Sequence, residues 1–215
     1  MKNEKPALPN VQHKDDVVNV KAWIDQYGSY AVSAVLIVLI ALTAGHMLKN
    51  RRQSRMAEAS QRLAVAQTAA DLESIIADFR TSDVAPLAHI ALAKINFENG
   101  EYDLALSQYD AFLKQWPDHE MKTTAQLGRI VCIEARGQAP ALQEAATAFA
   151  AFAAENKGHF LAPQAIFGQA RCFEQLGDLE KARTLYEDFI ASHPDDLWNT
   201  RAEELLETLK HRLKQ

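Results

Sequence analysis

Two cysteines and seven histidines carry the most reactive chemistry in this 215-residue chain, and their spacing decides what they could do. A zinc site draws its ligands from short, regular spacings on a helix or a paired turn. His89, His119, His159 and His193 stand at least 30 residues apart and form no His-x3-His or His-x-His pair. They read as solvated or capping side chains. Asp118-His119-Glu120 and Asp195-Asp196 each follow a proline, which suits turn and helix N-cap chemistry. Glu203 and Glu204 read as a solvated helix face. No G-x-G-x-x-G, P-loop, G-x-S-x-G, H-E-x-x-H or C-x-x-C occurs, so phosphate cradles, nucleophile elbows and metallohydrolase sites lack their residues. The expectation is a non-enzyme with neither cofactor nor metal.

What must position the remaining side chains is a repeat. Gly100, Ala105, Tyr109, Phe112 and Pro117 recur 77 residues later as Gly177, Ala182, Tyr186, Phe189 and Pro194. Glycine suits the left-handed end of one helix. The small residue lets two helix backbones approach, the two rings continue that face at helical spacing, and proline stops the second helix. A degenerate middle copy keeps Gly137, Ala145, Phe149 and Phe152, with three extra residues expected in the turn around Gln138-Ala139-Pro140. Gly128, Cys132 and Gly137 align with Gly168, Cys172 and Gly177. A fainter half-copy places Leu72, Ile75 and Ile76 on a short helix ending near Phe79-Arg80. Residues 199–214 form an amphipathic helix with Leu205, Leu206, Leu209 and Leu213 on one side, a solubilising end cap of the kind repeat arrays need. Equivalent positions on stacked helices lie about 8–10 Å apart, and a disulfide usually needs Cα atoms within about 7 Å. Cys132 and Cys172 are therefore expected to be reduced core residues.

Ahead of the repeats, Tyr27 to Leu48 contains no Lys, Arg, Asp or Glu. About 20 apolar residues suffice for one bilayer crossing, and Trp23, Tyr27 and Tyr30 cluster at its start, where amphipathic rings favour the headgroups. Val17, Val20, Ile24 and Tyr27 share a face, so the approach to the span is expected to lie along the membrane surface. The apolar core is too long and too far from the first residue for a cleavable signal. The chain thus divides into a tail with an amphipathic segment (1–26), a transmembrane helix (27–48), and a basic juxtamembrane helix with a partial repeat (49–85). The repeats follow (86–198), then the capping helix (199–215). The fold class is all-α. Net charge is −5, and no basic stripe exists beyond the juxtamembrane cluster, which argues against nucleic acid as a partner.

The Gly, Ala, ring and Pro order resembles the tetratricopeptide repeat, with a longer pitch similar to the bacterial envelope subtype of outer-membrane assembly lipoproteins and the Tol-Pal-associated coordinator. The first repeat departs from the pattern at Asn96, where a ring is usual, although Phe97 is adjacent. The resemblance implies an α-solenoid of about three helix-turn-helix units whose first helices line a protein-binding groove. Its groove positions correspond here to Lys94, Phe97, Glu98, Glu134, Arg171, Glu174 and Gln175.

The layout of tail, span, basic helix and repeats resembles the ancillary subunit of the Sec translocon. That implies a bacterial inner-membrane protein with a periplasmic repeat domain, binding translocon components, periplasmic chaperones or unfolded secreted chains. Lys49, Arg51, Arg52, Arg55 and Arg62 after the span point the other way, because basic flanks stay cytoplasmic. A cytoplasm-facing adaptor and a coordinator of envelope assembly or division therefore stand beside the translocon reading.

Overall fold

The computed structural model describes residues 13–194 and 197–214. Among them are nine helices and no strand: α1 (His13–Val65), α2 (Ala69–Asp78), α3 (Ala85–Glu98), α4 (Tyr102–Gln115), α5 (Lys122–Ala135), α6 (Ala139–Glu155), α7 (Ala162–Gln175), α8 (Leu179–Ser192) and α9 (Asn199–Leu213). Contacts divide the chain into two units, Met1–Arg55 and Met56–Gln215.

The first unit is the earlier part of α1. It contains the stretch among the described residues that is long and apolar enough to cross a membrane, with mean hydropathy 2.3. Its Val, Leu and Ile side chains, such as Ile37 and Leu42, are exposed. The helix runs from His13 without a break, so the approach and the span belong to one element. The side chains of Val17, Val20, Trp23 and Ile24, and the residues Asp195 and Asp196, lie outside the described residues.

The second unit is built from helix pairs in which each helix packs on the next in sequence, from α2 through α9. Ala59 and Leu63, near the end of α1, join Leu72, Ile75, Phe79, Val84, Ala88 and Leu92 in the first core cluster. The short helix expected around Leu72 is α2. Its N-cap is a reciprocal capping box between Thr68 and Asp71, and these hydrogen bonds hold the Asp71 carboxyl below its ordinary range.

The turns inside the three helix pairs share one length. Asn99-Gly100-Glu101, Arg136-Gly137-Gln138 and Leu176-Gly177-Asp178 join α3 to α4, α5 to α6 and α7 to α8. Gly100 and Gly177 both adopt φ +80°. The Gly100 N–H donates to the Phe97 carbonyl and the Glu101 N–H to the Asn96 carbonyl; Gly177 to Glu174 and Asp178 to Phe173 repeat this arrangement. These are paired Schellman bonds, and they satisfy carbonyls that the helix end would otherwise orphan.

The three extra residues of the middle copy are not in the turn, contrary to the sequence expectation. They extend the second helix, so that α6 has 17 residues against 14 in both α4 and α8. Pro140 sits in the first turn of α6, where its missing N–H has no intrahelical partner to lose, so the helix starts earlier instead of the loop growing.

Register between units comes from rings seated on glycines. A Cβ on Gly128 would lie 2.5 Å from the Tyr109 ring, and one on Gly168 would lie 2.6 Å from the Phe149 ring. The ring of one unit's second helix therefore occupies the space a side chain would take on the next unit's first helix. Ala105, Ala145 and Ala182 are fully buried, as are Phe112 and Phe149. At the C-terminal end, Leu206 and Leu209 of α9 close the last cluster over Phe167, Tyr186 and Phe189, which is the capping role expected of this helix.

Candidate interaction surface

The seven residues expected to line a groove lie on the first helices α3, α5 and α7, and the structure divides them into two groups. On α3, Lys94 and Glu98 are exposed and form an i,i+4 ion pair at 3.7 Å. Phe97 packs its ring 5.3 Å from that of Tyr102. An exposed pair of this kind contributes about 0.3–0.5 kcal/mol, so both charges can be given up to a partner at small loss.

Of the other four, Glu134, Arg171 and Gln175 are joined to one another, and Glu174 is joined to the cap. The Glu134 side chain on α5 is only 6% exposed and receives two bonds from Arg171 on α7. Nε donates to Oε1 at 2.5 Å and Nη2 to Oε2 at 2.6 Å. This forked geometry is what makes guanidinium the suitable cation here. Gln175 donates a third, longer bond to Glu134 at 3.3 Å. One turn on, Glu174 accepts from the Tyr186 hydroxyl at 2.9 Å and from Arg212 of α9 at 2.5 Å. Carboxylates on first helices thus tie α5 to α7 and α7 to α9. No periodicity announces this: Glu134 and Arg171 are 37 residues apart, and only stacking brings them together.

The electrostatics follow. Hydrogen bonding to Glu134 raises the Arg171 guanidinium further above its ordinary value. Burial, then the Glu174 carboxylate, pushes the Tyr186 phenol up. Burial and the Glu134 charge push the Cys172 thiol up to about 12, and burial pushes Cys132 up to about 11. Both are free and buried. A nucleophilic cysteine needs the opposite shift, so neither thiol is poised for chemistry at neutral pH.

Two histidines serve as caps, as the sequence suggested. The Met121 N–H donates to His119 Nδ1 at 3.1 Å, and the Leu161 N–H to His159 Nδ1 at 3.2 Å. Met121 and Leu161 are the N-cap residues of α5 and α7 and supply no side-chain cap of their own. His89 is instead buried, bonded to Gln108 at 2.8 Å, and burial lowers its pKa. Among the described residues no group of three or more His, Cys, Asp or Glu is placed to hold a metal.

A feature the sequence reading missed is an apolar cavity of about 410 Å³ between the turn before α7 and the turn before α9. Phe160, Pro163, Ile166, Phe189 and Trp198 line it. Phe160 is 73% and Leu197 is 97% exposed at its rim. The available signal was the placing of Phe160 and Leu197-Trp198 in turns, where apolar residues have no core to fill.

The family model described as a tetratricopeptide repeat-like domain matches residues 21–192. No curated protein matches the chain.

Proposed function

The chain belongs to the tetratricopeptide repeat-like domain family, and on that premise we propose that it is a single-pass membrane scaffold whose repeats bind other proteins without catalysis. Repeat domains of this kind are protein-interaction modules, because stacked units present an extended surface that a single globular core does not. The observation that carries the reading is the ring-on-glycine register at Tyr109–Gly128 and Phe149–Gly168. It makes α5 and α7 equivalent elements, and the shared three-residue turn adds α3, with Lys94, Phe97, Glu98, Glu134, Arg171, Glu174 and Gln175 along them. On this reading a bound peptide meets α3 first, where Lys94, Glu98 and Phe97 are lightly committed, and runs over the tied carboxylates of α5 and α7.

In the finer form of the proposal, Tyr27–Leu48 anchors the protein in a bacterial inner membrane. The repeats then face the periplasm beside the Sec translocon and hold emerging secreted chains. The resemblance of the whole layout supports this. Photo-crosslinkers replacing Lys94 or Gln175 in cells test it, with Thr147 on the exposed side of α6 as control. Adducts with translocon subunits, chaperones or secreted chains at the two groove positions are expected. Adducts only with Tol-Pal or outer-membrane assembly proteins would transfer the protein to the envelope-coordinator class. Equal crosslinking at Thr147 would remove the groove.

Lys49, Arg51, Arg52 and Arg55 favour a second reading, in which the repeats face the cytoplasm and organise a membrane complex. A reporter fused after Gln215 separates the two. Alkaline phosphatase activity supports the periplasmic arrangement, and green fluorescence supports the cytoplasmic one.

A further inference from the structure

The arginines of this chain fall into two populations. Of the eight from Arg62 onward, seven are paired with a carboxylate: Arg62, Arg129, Arg136, Arg171, Arg183, Arg201 and Arg212. Arg51, Arg52 and Arg55, with Lys49, have no ion pair among the described residues. No acidic residue occurs between Asp25 and Glu58 to provide one. Four cations are therefore left together on one stretch of α1, directly after the apolar run.

Their arrangement along the helix matters as much as their number. At i,i+4 spacing, one row runs through Leu39, Thr43, Met47, Arg51 and Arg55, and the adjacent row carries Leu42, His46, Asn50 and Ser54. Both rows line a single shallow groove on this face. The groove is apolar toward the span and cationic at its other end. His46 is bonded to Asn50 at 3.2 Å within it.

The lengths agree with a lipid. At about 1.5 Å of rise per residue, Lys49 to Arg55 lie roughly 2–10 Å beyond Leu48 along the axis. The headgroup layer on each side of a bilayer is about 5–8 Å thick. Long basic side chains adjust their height within it by bending toward the phosphates.

We propose that this face of α1 holds an anionic phospholipid, its phosphate between Arg51 and Arg55 and an acyl chain along Leu42 and Met47. The inference rests on the reading that Tyr27–Leu48 spans a bilayer. A nucleic-acid or soluble phosphate partner would leave the apolar half of the groove without an occupant, which is why the lipid is the ligand. The basic cluster then has a task of its own in whichever leaflet it meets, and its charge count ceases to report orientation by itself.

The test reconstitutes the full chain in phosphatidylcholine vesicles with trace spin-labelled phosphatidylglycerol or spin-labelled phosphatidylcholine. The motionally restricted fraction of each label gives their relative association. Phosphatidylglycerol should be favoured, and Arg51→Gln with Arg55→Gln should move the ratio toward one, by up to about fivefold per arginine. Lys49→Gln with Arg52→Gln should cost less, and Arg62→Gln, already committed to Asp78 at 2.7 Å, should cost nothing. Equal association of the two lipids overturns the site, and so does an equal loss in both double variants, which would show diffuse attraction only. Flotation after an alkaline carbonate wash separates the premises. A chain that stays with the vesicles but shows no headgroup preference refutes the lipid site alone, whereas a chain that washes off refutes the span and the site together.

Discussion

Replacing Gly168 by alanine tests the register of the array through the sign of a small energy. In an unhindered helix the change stabilises by about 1 kcal/mol, because glycine loses more backbone freedom on folding. Here the new Cβ would lie 2.6 Å from Cζ of Phe149 and 2.8 Å from both Cε atoms. Carbon atoms in good contact sit near 3.5–4.0 Å, so about 1 Å must be found. Phe149 is fully buried, packed in a cluster with Leu142, Ala145, Ala146 and Ala165, and cannot swing into solvent. Overpacking of this kind costs about 1–3 kcal/mol.

Set against the propensity gain, Gly168→Ala should destabilise by about 1–2 kcal/mol. For a unit of this size that lowers the midpoint by roughly 2–4 °C per kcal/mol. The assay is thermal unfolding of the full chain in mild detergent, with urea unfolding for the energies, both followed by circular dichroism. Phe149→Leu withdraws the ring tip, so in that background Gly168→Ala should become neutral or stabilising, with a coupling energy of about 1–3 kcal/mol. A stabilising effect of Gly168→Ala in the unaltered chain, or equal effects in both backgrounds, would refute ring-on-glycine packing as the source of register.

Gly100→Ala and Gly177→Ala meet no atom within 4 Å, but both positions hold φ +80°; each should cost about 1–2 kcal/mol in the same unfolding assay, and asparagine should recover part of it. Arg171→Ala leaves the buried Glu134 carboxylate with only the Gln175 bond. Loss of a fully buried partner costs about 3–5 kcal/mol, and because Arg171 is 51% exposed the expected loss is about 1–3 kcal/mol; Arg171→Met with Glu134→Leu should recover most of it. The thiol values set an alkaline limit. Cys132 and Cys172 ionise near 9.0 when unfolded but are pushed up to about 11 and about 12 in the fold, so their contribution is complete below pH 9 and declines as pH rises through 11–12. Cys132→Ala should flatten that decline in unfolding midpoints taken from pH 8 to 11.

Much of this architecture is legible in residue types that answer a backbone or packing demand at one position. Gly100 and Gly177 announce turns because few other residues adopt their φ, and Ala105, Ala145 and Ala182 announce close approach because nothing larger fits. The seven positions expected to line a groove are legible as helix positions, but their partners are not. Whether Arg171 faces solvent or Glu134 depends on the rotation of α7 against α5, which follows from how both pack on α6, where Phe149 is seated on Gly168. The extra residues near Pro140 were misplaced for a similar reason. Proline marks turns and first helical turns alike, and only the hydrogen-bonded ladder of α6 tells them apart. The apolar cavity beside Trp198 escaped because it joins two turns some 35 residues apart, each unremarkable alone.

The carboxylate ties between first helices have a mechanical meaning. Glu134–Arg171 and Glu174–Arg212 join α5 to α7 and α7 to α9. On α3, the ion pair Lys94–Glu98 stays within its own helix and reaches no neighbour. The α3/α5 joint is held on its other side, where Arg129 of α5 and Arg136 at its C-cap pair with Asp110 and Asp103 of α4. A hinge there can pivot about the α4–α5 pairs and part the facing edges of α3 and α5, whereas the same motion between α5 and α7, or α7 and α9, has to break a first-helix tie. The edge beside Lys94, Phe97 and Glu98 is therefore the one that can widen without losing an ion pair.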